Sequence, residues 1–91
     1  MSGTAAVIVK IMPNSPDTNL EEIQEKAKST LEEQGAQNIS FTQEDIAFGL
    51  KAIMLKMAWP EEKDTGLIEE SLSKIENVSS AQITDYRRAF G

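Results

Sequence analysis

The sequence predicts an α+β domain in which two helices cover one face of a four-stranded antiparallel sheet. Four stretches alternate apolar and polar residues or are rich in β-branched residues, as strands are, and two carry apolar residues at helical steps of three and four. These elements follow one another as strand, helix, strand, strand, helix, strand. The chain has 91 residues, enough for one modest core, so we expect a single domain over residues 1–91.

The first strand is predicted at residues 4–12 from its β-branched residues. Val7, Val9 and Ile11 lie on one face of it, and Ile8 and Lys10 lie on the other. Two prolines in residues 13–16 end the strand, because proline lacks the N–H that a strand ladder needs.

The first helix follows a choice of three capping residues at positions 17–19. Thr18 with Glu21, or Asn19 with Glu22, has the spacing of a reciprocal cap. Gly35 is expected to end the helix. Its apolar stripe consists of Leu20, Ile23, Ala27 and Leu31.

The second and third strands are predicted at residues 37–43 and 48–59, and we expect them to pair as antiparallel neighbours. Glu44 and Asp45 are expected to interrupt the second strand. In the third strand, Lys56 lies on one face with Ala52 and Met54. The core-facing residues are therefore predicted to be Ile53, Leu55 and Met57, with Ile39 and Phe41 inward on the second strand.

The second helix is predicted to begin after Asp64 or Thr65 and to end at Asn77. Its stripe consists of Leu67 or Ile68, then Leu72 and Ile75. A last strand follows at residues 78–86, with Ala81 and Ile83 inward, and residues 87–91 show no assignable pattern. The whole order is that of a ferredoxin-like βαββαβ sandwich, in which right-handed crossovers place the first and third strands in the centre of the sheet.

Composition excludes several classes of function. A net charge of −6 disfavours a large phosphate-binding surface. The chain has no cysteine and no histidine, which excludes disulfides, thiolate catalysis, zinc fingers and imidazole chemistry. No P-loop motif is present. We expect no catalytic residue, metal or cofactor, and we interpret the many glutamates as the solvated faces of the two helices.

The sequence also bears on where the protein is located and on whether it binds nucleic acid. No secretory signal is visible, and the apolar run at residues 46–59 is too short for a bilayer, so a cytoplasmic protein without membrane contact is expected. A ferredoxin-like sheet that binds RNA presents aromatic residues on its first and third strands. The outward positions here are Ile8, Lys10, Ala52, Met54 and Lys56, so direct nucleic-acid binding is disfavoured.

Three features are candidates for a binding role. Phe48 is either a core aromatic at a strand entrance or an exposed anchor between its small neighbours Ala47 and Gly49. Trp59 is either packed under the second helix or an interface residue. Arg87 and Arg88 are either a frayed charged terminus or a basic pair for an acidic or phosphate-bearing partner.

Several segments together resemble a known family. Residues 9–17 are VKIMPNSPD, followed by NLEE at residues 19–22; residues 46–51 are IAFGLK; residues 75–80 are IENVSS; and residues 83–88 are ITDYRR. In this combination the chain resembles the guanine-nucleotide exchange domain of translation elongation factor 1-beta, in its short archaeal form. The resemblance runs from about residue 5 to residue 88.

The resemblance implies a ferredoxin-like fold and an exchange activity without covalent chemistry. The implied partner is elongation factor 1-alpha, a GTPase whose GDP is released so that GTP can enter. In eukaryotic members the aromatic residue of the central Phe-Gly motif lodges in the GTPase, and that position is Phe48 here. A lysine near the C-terminus reaches toward the magnesium site, and its position falls on Arg88, so this chain departs from the family pattern there.

The resemblance therefore implies partner-binding residues Phe48, Gly49, Ala47, Arg87 and Arg88. We expect Phe48 and the two arginines to lie on the same end or side of the fold. The alternative is a ferredoxin-like regulatory or oligomerisation module that binds a small ligand. Oligomeric state does not follow from the sequence.

Overall fold

A computed structural model describes residues 3–88 and contains the six expected elements in the expected order. They are β1 (Thr4–Pro13), α1 (Leu20–Glu33), β2 (Gln37–Asp45), β3 (Lys51–Pro60), α2 (Gly66–Ser73) and β4 (Val78–Arg88). The strands form one antiparallel sheet in the order β2-β3-β1-β4. This order confirms the ferredoxin-like prediction, including the central positions of β1 and β3 and the pairing of β2 with β3.

The core lies between one face of the sheet and the two helices. Every second residue of β1 from Ala5 is buried, and the same alternation runs along β3 from Ile53 to Trp59. The helices contribute the residues of their predicted stripes to the same cluster: Ile23, Ala27 and Leu31 from α1, and Ile68 and Leu72 from α2. Both helices therefore cover the same sheet face, and the other face is covered by neither.

The boundaries of α1 follow the predicted signals. Asn19 is the N-cap, and its Oδ1 accepts a hydrogen bond from the Glu21 N–H at 3.0 Å. Gln34 caps the C-terminus, and Gly35 takes the left-handed φ of +102° that commonly ends a helix. The capping choice among residues 17–19 is thus resolved in favour of Asn19.

The predicted ends of β2 and β3 were wrong at the turn that joins them. Glu44 and Asp45 do not interrupt β2: they pair with Ala52 and Lys51. The opposite charges of Asp45 and Lys51 favour this directly opposed pair. Strand β3 begins at Lys51 instead of residue 48, because Phe48 and Gly49 have positive φ angles that a strand does not admit.

Helix α2 ends at Ser73, four residues before the predicted end at Asn77. Tight turns replace its last predicted turn: the Ile75 N–H donates to the Leu72 carbonyl and the Val78 N–H to the Ile75 carbonyl. Asn77 has a φ of +73°, and its carbonyl accepts from the Asn14 N–H at 2.9 Å. The helix therefore ends early, and the turns that follow it bring the start of β4 beside the end of β1.

Strand β4 extends to Arg88, whereas we predicted an end at residue 86 and no pattern beyond it. Arg87 pairs with Ala6 and Arg88 with Ala5. The prediction that the tail lacks a pattern was wrong for these two residues, because partners on β1 supply the ladder. Residues 89–91 lie outside the described residues.

A bulge at Thr84 changes the alternation within β4. Ile83 pairs with Val9 and Asp85 pairs with Ile8, so Thr84 is the extra residue. The Thr84 hydroxyl donates to the Ile8 carbonyl oxygen at 3.3 Å. Beyond the bulge, Tyr86 lies level with the buried Val7 on the helix-covered face, and Arg87 lies level with Ala6 on the open face.

Candidate functional site

The five-residue connection between β2 and β3, residues 46–50, forms a tight turn that we call the Phe48 loop. The Leu50 N–H donates to the Ala47 carbonyl at 2.9 Å, and the Ile46 N–H donates to the Leu50 carbonyl at 3.0 Å. Phe48 and Gly49 occupy the two central positions with φ angles of +54° and +80°. Positive φ at both positions is the signature of a type I′ turn, in which asparagine and glycine are usual. Phenylalanine here takes the place of the asparagine.

Phe48 is the most exposed large apolar side chain in the described part of the chain. It is 97% exposed, whereas Ile46, Leu67 and Tyr86 are 37–40% exposed. The interpretation of Phe48 as a core aromatic is therefore wrong. Ile46 is an exposed apolar neighbour that the sequence analysis did not single out, although it directly precedes the Ala-Phe-Gly motif.

The Phe48 loop lies beside the segment that enters α1. A β-carbon added to Gly49 would lie 3.8 Å from the Pro16 Cβ. A polar cavity of about 340 Å³ separates the two segments. Its lining consists mainly of Pro13, Ser15, Thr18, Asn19, Gln43 and Lys51.

Three of the segments that carry the family resemblance converge at this end of the molecule. They are residues 9–17, residues 46–51 and residues 75–80. The cavity joins the first to the second, and the Asn14–Asn77 hydrogen bond joins the first to the third. Residues far apart in sequence thus come together on the side of the molecule that carries the Phe48 loop.

Arg87 and Arg88 lie at the opposite end of the sheet from Phe48. Arg87 is level with Ala6 and Ala58. Ala58 is seven residues along β3 from Lys51, which is about 23 Å at the rise of a strand, and Phe48 lies beyond Lys51. The molecule is 45 Å long, so the expected common end for Phe48 and the arginines was wrong. The two arginines also point to opposite faces, because neighbouring strand residues alternate.

Arg87 is exposed, and its Nε lies 3.1 Å from Asp85 Oδ2. Arg88 is also exposed and lies level with the buried Ala5 at the end of the helix-covered face. Neither arginine belongs to a frayed segment, because both pair with β1. The Thr84 bulge determines which face each one takes. Sequence analysis missed this bulge, although the spacing of three between the inward residues Ile83 and Tyr86 is a signal for it.

The remaining candidates have structural roles. Trp59 is fully buried in the core, and its Nε1–H donates to the Lys63 carbonyl at 3.3 Å. No charged side chain is fully buried among residues 3–88, so the helix glutamates are solvated as predicted, except that Glu69 is half-buried and accepts a hydrogen bond from the Ile83 N–H. The described residues hold no group of three carboxylates placed for a metal ion. None of the described helices is long and apolar enough to cross a bilayer.

Of the five residues predicted on the open face of the sheet, four point away from the helices, whereas the prediction was wrong for Ala52, which is fully buried. Ile8, Lys10, Met54 and Lys56 point away from the helices, with no aromatic residue on this face of β1 or β3. This arrangement lacks the stacking residues of an RNA-binding sheet.

Known proteins are similar to this chain over nearly its whole length. A family profile described as "EF-1 guanine nucleotide exchange domain" matches residues 6–88. "Elongation factor 1-beta" from Methanothermobacter thermautotrophicus is 38% identical over 87 residues, covering 94% of this chain and 97% of that protein. Proteins of the same name from Methanosarcina barkeri and Halorubrum lacusprofundi are 37% and 33% identical, each covering 94% of this chain and 98% of the relative. The chain therefore belongs to the family of EF-1 guanine nucleotide exchange domains.

Proposed function

We propose that this protein promotes GDP release and GTP loading on elongation factor 1-alpha during translation elongation. The family and the name shared by its archaeal relatives support this proposal. The observation that links the proposed function to a particular residue is the almost complete exposure of Phe48 at the tip of a tight turn. The proposal places the protein in the cytoplasm, where elongation takes place. It includes no covalent step, so no residue is assigned as catalytic.

Exchange of this kind is a matter of linked equilibria. A protein that binds the nucleotide-free GTPase more tightly than the GDP-bound form must weaken GDP binding by the same coupling free energy. It does so by displacing the switch segments or the magnesium and phosphate contacts of the GTPase. The exchange factor therefore needs rigid contact points, not reactive groups.

Phe48 is suited to be such a contact point. Its ring makes no contribution to the core, and it projects from a turn closed by two hydrogen bonds. Aromatic side chains that enter a partner's pocket commonly contribute 2 kcal/mol or more, which is about 30-fold in affinity. Ala47 has only a methyl side chain and Gly49 has none, so a partner can approach the ring closely on both sides.

Arg87 and Arg88 are proposed as a second contact at the other end of the sheet. The proposal for Arg88 is supported by the resemblance, which implies a lysine directed at the magnesium site at this position. An arginine can supply the positive charge, but its planar guanidinium has a different geometry from an ammonium group. A partner that touches both Phe48 and Arg88 must extend along the length of the sheet.

Release of a fluorescent GDP analogue from elongation factor 1-alpha of the same organism tests the function. We expect the protein to accelerate release, and we expect Phe48→Ala to require about 30-fold more protein for the same rate. Leu67→Ala is the matched control, because Leu67 is also an exposed apolar residue but lies on α2.

The outcomes separate the function from its site. If Phe48→Ala and Leu67→Ala reduced the acceleration of GDP release equally, Phe48 would not be the anchor, but the exchange function would still stand. No acceleration by the unmodified protein at saturating concentration would overturn the proposed function itself.

A further inference from the structure

The open face of the sheet is unusually apolar at its centre. The outward positions of β1 and β3 include five apolar residues that are not fully buried: Ala6, Ile8 and Met12 on β1, and Met54 and Ala58 on β3. An antiparallel sheet with one uncovered face normally carries polar residues there. Apolar surface of this kind, bordered by charged residues, is typical of a site that contacts another molecule.

Three cations and one carboxylate surround Ile8 on this face, the carboxylate being that of Asp85, directly opposite Ile8 on β4. Lys56 is directly opposite Ile8 on β3, Lys10 is two residues further along β1, and Arg87 is paired with Ala6, two residues before Ile8. Directly opposed side chains have β-carbons about 5 Å apart and diagonal ones about 7–8 Å apart, so all three cations are within reach of one bound segment. We call Ile8, Lys10, Lys56 and Arg87 the cationic surface.

The cationic surface also has a shape that can receive a side chain. A shallow cavity of about 310 Å³ is lined by Ala6, Ile8, Lys56, Asp85 and Arg87. A mostly apolar depression of about 340 Å³ adjoins it and shares Ala6 and Lys56 with it. The alanines of β1 and β3 leave room above the sheet that larger residues would fill.

The charge of this face is opposite to that of the molecule. The strands present three cations and two carboxylates, Glu44 and Asp85, on the open face, although the chain carries a net charge of −6. Within residues 3–88, neither Lys10 nor Lys56 has a carboxylate within 4.0 Å. Arg87 forms an ion pair with Asp85 through its Nε. Three cations against two carboxylates leave the open face slightly positive, whereas the molecule as a whole is acidic.

We propose that the cationic surface binds an acidic segment of the GTPase partner, with one apolar side chain of that segment seated over Ile8 and Ala6. This inference rests on the proposed exchange function and specifies the chemistry of the contact. Carboxylates of the segment pair with Lys10, Lys56 and Arg87, and the apolar centre excludes water from these pairs. The surface extends along the open face from Arg87 toward the end of the sheet that carries Phe48, so the same partner can engage both. Single-stranded RNA is the less suitable occupant, because the face offers no aromatic ring for stacking.

The test reverses the charge of two lysines and compares matched variants. Lys10→Glu/Lys56→Glu alters the cationic surface, whereas Lys26→Glu/Lys28→Glu makes the same change in charge at exposed positions of α1. The readout is the Kd of each fluorescently labelled protein for nucleotide-free elongation factor 1-alpha, measured at low and high salt. A neutral variant, Lys10→Gln/Lys56→Gln, removes the attraction without adding repulsion, and thermal melting confirms that each variant folds.

We expect the cationic-surface reversal to weaken binding at low salt by more than about tenfold, because like charges then face each other across the contact. The neutral variant should lose less affinity than the charge-reversal variant. Raising the salt should bring the Kd of both variants closer to that of the unmodified protein, since the Debye length falls from about 30 Å at 0.01 M to about 10 Å at 0.1 M. The α1 variant should bind within about threefold of the unmodified protein, as exposed charges remote from a contact contribute little.

Three results would overturn the inference. Equal effects of the cationic-surface and α1 variants would show that only the total charge matters, and the exchange function would still stand if GDP release is accelerated. Binding of labelled single-stranded RNA by the unmodified protein, lost in Lys10→Glu/Lys56→Glu, would identify a nucleic acid as the occupant. If the unmodified protein neither binds the GTPase nor accelerates GDP release, the proposed function itself is wrong and this inference falls with it.

Discussion

Phe48 is the residue at which the fold and the function make opposite demands. Among residues 3–88, three non-glycine residues have positive φ angles: Asn38, Asn77 and Phe48. Asparagine tolerates this conformation, whereas a bulky side chain in the left-handed region costs about 1–2 kcal/mol. Phe48 carries this strain and exposes its ring as well, so nothing in the fold of the chain itself accounts for a phenylalanine here. Strain of this kind commonly marks a binding site.

Replacing Phe48 with asparagine should stabilise the protein while it removes exchange activity. Asparagine suits the first central position of a type I′ turn, and we expect a gain of about 1 kcal/mol in the free energy of unfolding, or roughly 4–8 °C in Tm. Phe48→Ala should lose activity without this gain, because alanine is also strained at a positive φ. Thermal unfolding followed by circular dichroism, together with the GDP-release assay, checks both parts. A Tm at or below that of the unmodified protein for Phe48→Asn would mean that the ring supports the fold.

At the scale of the element, β4 depends on side-chain hydrogen bonds as well as on its ladder. It is an edge strand, and at its bulge the regular pairing with β1 is interrupted. The Ile83 N–H donates to Glu69 Oε2 on α2 at 3.1 Å, and the Thr84 hydroxyl donates to the Ile8 carbonyl. Without Glu69, the Ile83 N–H would be a free donor on a strand edge, where a second chain can pair.

Glu69→Ala should therefore destabilise the protein, by about 1.5 kcal/mol, because a backbone N–H loses a charged acceptor. The expected fall in Tm is roughly 6–12 °C. Glu69→Gln keeps an acceptor oxygen and should recover part of the loss. Glu70→Ala is the control on the same helix: its ion pair with Lys74 joins two exposed side chains and contributes little. Similar melting temperatures for Glu69→Ala and Glu70→Ala would exclude this role for Glu69.

At the scale of the whole molecule, the proposed contacts are spread along its length. The Phe48 loop is at one end of the 45 Å axis, Arg88 is toward the other, and the cationic surface is on the face between them. The antiparallel register causes this separation, because the start of β3 and the end of β4 are at opposite ends of β1. A single small pocket on the GTPase cannot accommodate both ends.

Contacts this far apart should contribute independently to exchange. Residues more than about 7–10 Å apart without shared partners usually have effects that add to within about 0.5 kcal/mol. We therefore expect the losses of transition-state free energy for Phe48→Ala and Arg87→Ala, taken from kcat/KM of GDP release, to sum in the double variant. If the double variant had the same kcat/KM for GDP release as the slower of the two single variants, Phe48 and Arg87 would act through one step.

The sequence by itself determined the type and order of the elements, the fold and the core. Each of these depends on local periodicity: the alternation in β1 and β3 and the stripe in α1 follow from which side chains must leave water. Phe48 could be named as a candidate, but its exposure and its left-handed backbone could not be foreseen, because an aromatic beside a strand is equally suited to the core. The ends of β2, α2 and β4 and the separation of Phe48 from the arginines were decided only in the tertiary structure. All of these depend on hydrogen bonds and registers between residues distant in sequence, for which no local pattern exists.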